Sequence, residues 1–100
     1  MSKPNPIPIR LKEARKRAKM TQKELGIRIG MDQSSASSRM NHYEKERHTP
    51  DIQTLQRMAD ELEVPLNYLF CESNESAELA CLISHLSTEE KQQLIEQLSK

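Results

Sequence analysis

Apolar residues recur every three or four positions through most of this chain, which is the spacing that places them on one face of a helix. The first such segment runs from 9 to 19, with Leu11, Ala14 and Ala18 on its apolar face. Three prolines among the first eight residues exclude a helix there and predict a flexible N-terminal arm over 1–8. No segment alternates apolar and polar residues as a strand does, so the sequence predicts an all-α protein.

A short second helix is predicted from its capping signals. Thr21 and Glu24 form the T-x-x-E capping box that often begins a helix. The apolar residues of this helix, Leu25 and Ile29, are four positions apart. Gly30 then stands where a glycine commonly terminates a helix, so we expect the second helix to run over 22–29.

The third predicted helix, capped by Asp32 and running over 33–44, has an unusual composition. Its apolar residues Ala36, Met40 and Tyr43 form a single inward stripe. The remaining positions are short, polar or basic, and four of them are serines. Because serine competes for backbone hydrogen bonds, it is a poor helix former, so this composition points to a role other than helix stability.

Further helical segments follow in the second half of the chain. A fourth helix is predicted over 52–62 and a short fifth helix after Pro65. The apolar residues of the fifth helix are Leu66, Leu69 and Phe70. Polar residues at 72–76 predict a linker, and two amphipathic helices follow in a C-terminal extension over 77–100.

The charge of the chain is balanced as a whole but divided between its halves. A length of 100 residues with 15 basic and 15 acidic side chains describes one small domain of zero net charge. Residues 1–50, however, carry twelve basic and five acidic side chains, a net of +7, whereas residues 51–100 carry three and ten, a net of −7. This asymmetry predicts a basic surface for an anionic partner.

Several classes of protein are disfavoured by the composition. Two cysteines, Cys71 and Cys81, are too few for a disulfide scaffold, and there is neither a signal peptide nor an apolar run long enough to cross a membrane. We therefore expect a cytoplasmic protein. Cys71, Cys81 and His85 have loose metal-ligand character, but a structural zinc site needs a fourth ligand. No motif joins a nucleophile to a base, so we expect no enzymatic activity, no metal and no cofactor.

Two short helices around a turn at Gly30, preceded by a basic helix, describe a helix-turn-helix. The segment 9–70 resembles the lambda-repressor-like, Xre-type (Cro-type) helix-turn-helix domain of prokaryotes and phages. The residues that carry the resemblance are Leu11 and Arg15 in LKEAR, Thr21, Gln22, Glu24 and Leu25 in TQKEL, Gly30, Tyr43, Glu44, Pro50 and the segment IQTLQRMADELEVPLNYLF. The resemblance implies a five-helix DNA-binding domain, with its helix-turn-helix at about 21–44, that binds double-stranded DNA.

The same resemblance assigns roles to individual residues and to the whole chain. It implies a buried ion pair between Arg15 and Glu44, and it places Gln22 on a DNA phosphate. It also implies a transcriptional regulator, by preference a repressor that binds a palindromic operator as a dimer.

The chain departs from the family pattern in three places. Gly26 stands where the family usually has alanine, and Glu46 stands where it usually has glycine. Between Gly30 and Glu44 there are about four residues more than usual, close to one helical turn, which could lengthen the third helix.

The insertion leaves two registers open for the residues that read bases. If the base-reading positions of the family are counted forward from the start of the helix, they fall on Gln33, Ser34, Ser37 and Ser38. If they are counted back from Glu44, they fall on Ser37, Ser38, Arg39 and His42. Arg39 can donate hydrogen bonds to guanine, Gln33 or Asn41 can pair with adenine, and serine can hydrogen-bond to several bases. Basic side chains expected near phosphates are Lys45, with Lys23, Arg28 and Arg47.

The C-terminal extension is the expected dimerisation element. Two short helices with narrow apolar stripes cannot bury both faces alone, so they pack on the five-helix domain or on a second copy. The alternative function is a protein-interaction module, such as an antitoxin that neutralises a toxin partner and regulates its own synthesis. The sequence contains no recognisable toxin-binding feature.

Overall fold

A computed structural model describes residues 5–100. In chain order, its elements are α1 (Ile7–Arg17), α2 (Gln22–Arg28), α3 (Ala36–Glu44), α4 (Ile52–Leu62), a 3₁₀-helix (Leu66–Phe70), α5 (Asn74–Ser84) and α6 (Thr88–Leu98). Residues 5–100 contain no β-strand, which confirms the predicted all-α fold for that part of the chain.

The first helix begins earlier than the prolines suggest. Ile7 and Pro8 are helical and buried, so the prediction of an extended arm up to residue 8 is wrong for these two residues. Proline is tolerated in a first turn because the N–H groups there have no partner within the helix. Residues 1–4 of the predicted arm lie outside the described residues.

The five-helix domain is built around one core. Its largest fully buried side chains come from α1 to α4 and from the 3₁₀-helix, and they are Leu11, Leu25, Met40, Leu55, Met58, Tyr68 and Leu69. Burying a large apolar side chain contributes roughly 1.5–3 kcal/mol. The elements that form the helix-turn-helix therefore share a core with α1 and α4.

The predicted fifth helix is a 3₁₀-helix, and it buries a different aromatic residue from the one expected. Tyr68 is buried, whereas Phe70 is 43% exposed. The Tyr68 hydroxyl donates a hydrogen bond to the Glu13 carboxylate of α1, which satisfies its polar end inside the domain. Burial and this hydrogen bond raise the pKa of Tyr68 above its ordinary value. Tyr68 thus joins the end of the domain to its first helix.

The predicted linker over 72–76 is mostly helical. Helix α5 begins at Asn74, because the Ser73 hydroxyl accepts a hydrogen bond from the backbone N–H of Ser76 and caps the helix. Only Ala77 and Ala80 of α5 are buried, and α6 has no buried residue. The radius of gyration is 15.2 Å, above the value of about 13 Å for a compact domain of this length. Helix α5 therefore joins the core through two alanines, whereas α6 extends from the domain without adding to its core.

Gly26 allows α2 and α3 to pack closely. A Cβ atom at this position would lie 2.8 Å from the Cβ of Ala36, 3.1 Å from its carbonyl oxygen and 3.1 Å from the sulfur of Met31. The alanine that the family usually has here would not fit this spacing. The departure at Gly26 is thus a packing adjustment between the two helices.

Gly26→Ala tests this packing, because alanine ordinarily stabilises a helix by about 1 kcal/mol relative to glycine. Overpacking against Ala36 costs about 1–3 kcal/mol. We expect Gly26→Ala to lower the free energy of unfolding measured with denaturant, and to be tolerated better in an Ala36→Gly background. Equal effects of Gly26→Ala in the two backgrounds would show that the contact does not limit the packing.

Candidate nucleic-acid interface

Helix α2 has well-defined ends. The Thr21 hydroxyl accepts from the N–H of Glu24 at 3.0 Å, and the Glu24 carboxylate accepts from the N–H of Thr21 at 3.3 Å, which completes the predicted capping box. At the other end Gly30 has φ +99°, and the N–H of Met31 donates to the carbonyl of Gly26 at 2.9 Å. This is the Schellman geometry that favours glycine, and it turns the chain towards α3.

The residues before α3 form a turn rather than the first part of the helix. Helix α3 begins at Ala36, so the predictions of a lengthened helix over 33–44 and of Asp32 as its N-cap are wrong. The Asp32 carbonyl accepts from the N–H groups of Ser35 and Ala36, and its carboxylate accepts from the Ser34 hydroxyl. These local hydrogen bonds are the ones by which serine and aspartate compete with a helix. Gln33 and Ser34 are exposed on this turn.

Helix α3 has one buried face and one polar face. Ala36 and Met40 are fully buried, and Tyr43 is half-buried on the same side. The predicted base-reading residues on the other faces are exposed at Ser37, Ser38 and Arg39 and half-buried at Asn41 and His42. Lys45 follows α3 as an exposed C-cap residue. The structure therefore brings most of the candidate DNA-binding residues to the outside of one helix.

A buried ion pair joins α1 to the end of α3. The Nε of Arg15 lies 2.6 Å from one carboxylate oxygen of Glu44, and its Nη2 lies 3.0 Å from the other. The remaining Nη1 donates to the Met20 carbonyl at 2.8 Å. Only 10% of the Arg15 side chain and 2% of the Glu44 side chain are exposed. This is the pair that the family resemblance implies, and it fixes the direction of α3 relative to α1.

Gln22 extends this network across the helix-turn-helix. Its side-chain amide donates to Glu44 at 3.1 Å and to the side-chain oxygen of Asn41 at 3.2 Å. Gln22 is thus a link between the first turn of α2 and the polar face of α3. The family resemblance placed Gln22 on a phosphate. The contact with Asn41 was not foreseen, because the spacing of 19 residues between Gln22 and Asn41 gives no local signal.

Arg10 is a second residue whose role the sequence did not show. It belongs to the basic run of the first helix, yet it is only 3% exposed. Its Nε donates to the carbonyl of Cys71 at 2.9 Å, and its Nη1 donates to the side chain of Asn74 at 3.1 Å. Arg10 therefore attaches the start of α5 to α1 and is not part of a free basic surface.

Three further features of residues 5–100 concern metal sites, disulfides and membrane spans. Within that range no three His, Cys, Asp or Glu side chains come together as a metal-binding group. Cys71 and Cys81 are both free thiols. Likewise, no helix among the described residues is long and apolar enough to cross a membrane.

Comparison with known proteins agrees with this geometry. Residues 9–75 match a family model described as a helix-turn-helix domain. The chain belongs to the Xre-type helix-turn-helix family. Members of this family are DNA-binding transcriptional regulators and are typically not enzymes. No curated protein sequence matches the chain at a significant level.

The Xre-type chain is also similar to a solved structure over nearly its whole length. The crystal structure of the transcriptional regulator BswR superposes with a TM-score of 0.84 at 46% sequence identity. The similarity covers 93% of this chain and 92% of that one. Because it extends beyond residue 75, the similarity includes C-terminal helices as well as the helix-turn-helix domain.

Glu44→Gln tests the contribution of the buried ion pair. It keeps the shape of the side chain but leaves the Arg15 charge buried without a counter-ion, and breaking such a pair costs about 3–5 kcal/mol. We expect a large fall in the free energy of unfolding, measured by chemical denaturation. Glu61→Gln is the matched control, because Glu61 lies 3.7 Å from Arg28 in a pair whose side chains are more than one-third exposed.

An exposed pair contributes about 0–1 kcal/mol, so the control variant should unfold nearly as the wild type does. Similar losses for Glu44→Gln and Glu61→Gln would contradict the structural role given to the Arg15–Glu44 pair.

Proposed function

We propose that this regulator is a repressor that binds a palindromic operator as a homodimer, with α3 in the major groove. The observation that carries the proposal is the polar face of α3, where serines and one arginine are exposed while Ala36 and Met40 are buried. A major groove about 12 Å wide admits a helix, and short side chains let its backbone approach the base edges.

The start of α3 at Ala36 favours the register counted back from Glu44. At 3.6 residues per turn, positions 38, 41 and 45 lie opposite the buried positions. The four residues of that register, Ser37, Ser38, Arg39 and His42, are exposed or half-buried on α3, and Asn41 lies on the face opposite the core. Gln33 and Ser34 precede the helix, so we infer that they contact DNA beside the recognition helix rather than from its face.

The longer polar side chains then divide into two roles. Arg39 can donate two hydrogen bonds to the O6 and N7 of guanine, and Asn41 can bind the N6 and N7 of adenine. The Gln22 amide holds the Asn41 oxygen at 3.2 Å, which limits the orientations that Asn41 can present to a base. Gln22 begins α2 and Lys45 follows α3, at the ends of the two helices. Because the side-chain amide of Gln22 already donates to Glu44 and Asn41, its phosphate contact would be made by its backbone N–H. Phosphate contacts at these two positions would set the orientation of the domain without reading sequence.

We infer that the C-terminal helices form the dimer interface. Large apolar side chains remain exposed along both helices, at Leu79, Leu82, Ile83, Ile95 and Leu98. These residues lie outside the core of the five-helix domain. A second copy that covers this surface would bury it and would hold two recognition helices for half-sites about 34 Å apart.

Selection of duplexes from random DNA by the purified full-length chain tests operator binding. We expect a palindromic motif whose affinity falls steeply with salt, since each neutralised phosphate contributes about −0.9 to the slope. Arg39→Ala should lower discrimination at one base position of each half-site by about 1–3 kcal/mol. Lys45→Ala should weaken all sequences alike and reduce the salt slope.

No enriched sequence together with flat salt dependence would contradict the proposed operator binding. Identical behaviour of Arg39→Ala and Lys45→Ala would contradict the two roles assigned to these residues.

The double variant Ile95→Glu with Leu98→Glu tests the dimer interface. Both side chains are exposed, at 56% and 75%, so the monomer should fold normally. We expect the wild type to sediment as a dimer at micromolar concentration and the double variant as a monomer with weaker operator binding. Ile52→Glu is the control, because Ile52 is 61% exposed on α4 of the DNA-binding domain. A variant that stays dimeric, or a wild type that is monomeric, would contradict the interface.

A further inference from the structure

An open groove of about 360 Å³ lies beside the C-terminal half of α3. Arg39, His42 and Tyr43 line it from one flank of the helix, and His48 and Thr49 line it from the following loop. The centroids of the two imidazole rings are 5.6 Å apart, with the ring planes tilted by 49°. The groove thus gathers three side chains that carry or can acquire a positive charge.

The backbone after α3 explains how His48 reaches this position. Glu46 adopts a left-handed conformation with φ +62°. The N–H of Arg47 donates to the carbonyl of His42 at 2.9 Å, and the N–H of Glu46 donates to the carbonyl of Tyr43 at 3.3 Å. These bonds terminate α3 and turn the loop back along it. The residue at which the chain departs from the glycine of its family is therefore part of the turn that forms the groove.

The donors in the groove are available for a ligand. Among residues 5–100, the side chains of Arg39, His42 and His48 take part in no hydrogen bond or ion pair. The rings of His42 and His48 contact each other. The lining contains no carboxylate, and Tyr43 and Thr49 add hydroxyl groups that can donate hydrogen bonds to an anion. Unpaired donors without a carboxylate favour an anionic ligand.

We propose that this groove binds a backbone phosphate of the operator, contacted by His42, His48 and Thr49 beside the base-reading face of α3. The proposal rests on the proposed function, since it takes α3 to lie in the major groove. The DNA strand that borders the major groove passes next to a helix held within it, so a phosphate can reach the groove while Arg39 approaches a base. This adds His48 and Thr49 to the DNA-binding residues.

A phosphate in this groove would couple DNA binding to pH. Imidazole is the side chain whose charge ordinarily changes between pH 5 and 8. A phosphate between the two rings binds a charged imidazole more strongly than a neutral one, so DNA binding would strengthen as the pH falls.

His48→Gln in the full-length chain tests the proposal. Glutamine keeps a hydrogen-bond donor but cannot become charged, and His48 is exposed, so the fold should be retained. His85→Gln is the matched control, because His85 is the third histidine of the chain and lies at the end of α5. Affinity for the selected duplex would be measured by fluorescence anisotropy at about pH 6 and about pH 8, over a range of salt concentrations.

We expect the wild type and His85→Gln to bind the duplex more tightly at the lower pH, by up to about tenfold. His48→Gln should lose most of this difference, and at the lower pH its salt slope should be shallower by up to about 0.9. If His48→Gln binds the duplex with the pH dependence and salt slope of the wild type, the groove proposal is wrong while operator binding stands.

If the wild type binds no DNA, the proposed function fails, and the groove is tested separately with inorganic phosphate. Proton NMR of the three histidines would then follow the titration. Shifts at His42 and His48 that exceed those at His85 would support an anion site, and equal shifts at all three would overturn it.

Discussion

The position of the recognition helix depends on a charge pair that is almost completely removed from solvent. Arg15 and Glu44 are paired through two nitrogen–oxygen contacts, and the third donor group of Arg15 is satisfied by the Met20 carbonyl. A buried charge is tolerated only when its counter-ion and hydrogen bonds are in place, so this arrangement permits one orientation of α3 relative to α1. Gln22 shares the same carboxylate and carries that restriction to α2.

This constraint accounts for a recognition helix that is weak by composition. Serines are unfavourable inside a helix, and α3 has only nine residues, so its stability must come from packing and from its anchored end. Met40 and Ala36 fill the core, Gly26 lets α2 approach closely, and Glu44 fixes the last turn. The outer face is then free to carry the polar residues that we propose contact DNA.

The division of charge along the chain follows the same organisation. The basic half contains α1, α2, α3 and the loop after α3, whereas the acidic half contains α4, the 3₁₀-helix and the C-terminal helices. Part of the positive charge is structural, since Arg10 and Arg15 are both buried. Zero net charge thus describes two regions of opposite sign, in a protein whose DNA-binding elements lie in the basic one.

Local signals in the sequence were sufficient to predict most of the helices. The capping box at Thr21, the glycine at position 30 and the apolar spacing of α4 all correspond to features of the structure. Two of the errors lie where short-range rules compete. Proline allowed a helical first turn at Pro8, and local hydrogen bonds of Asp32 and its neighbouring serines delayed the start of α3.

The candidate site was less predictable, because its contacts join residues far apart in the sequence. The Arg15–Glu44 pair was expected from family resemblance and could not be obtained from helical periodicity. The contact between Gln22 and Asn41 and the burial of Arg10 have no local signature at all. His48 reaches His42 only because the chain reverses at Glu46, a residue that sequence reasoning noted only as a departure from the family.

The most direct measurement is a map of amide chemical shifts as the isotopically labelled full-length chain is titrated with its selected duplex. We expect the largest changes at the start of α2, along α3 and in the loop through Thr49, with little change in α6. Changes concentrated in α5 and α6, with α3 unaffected, would contradict the claim that the outer face of α3 is the surface that binds DNA.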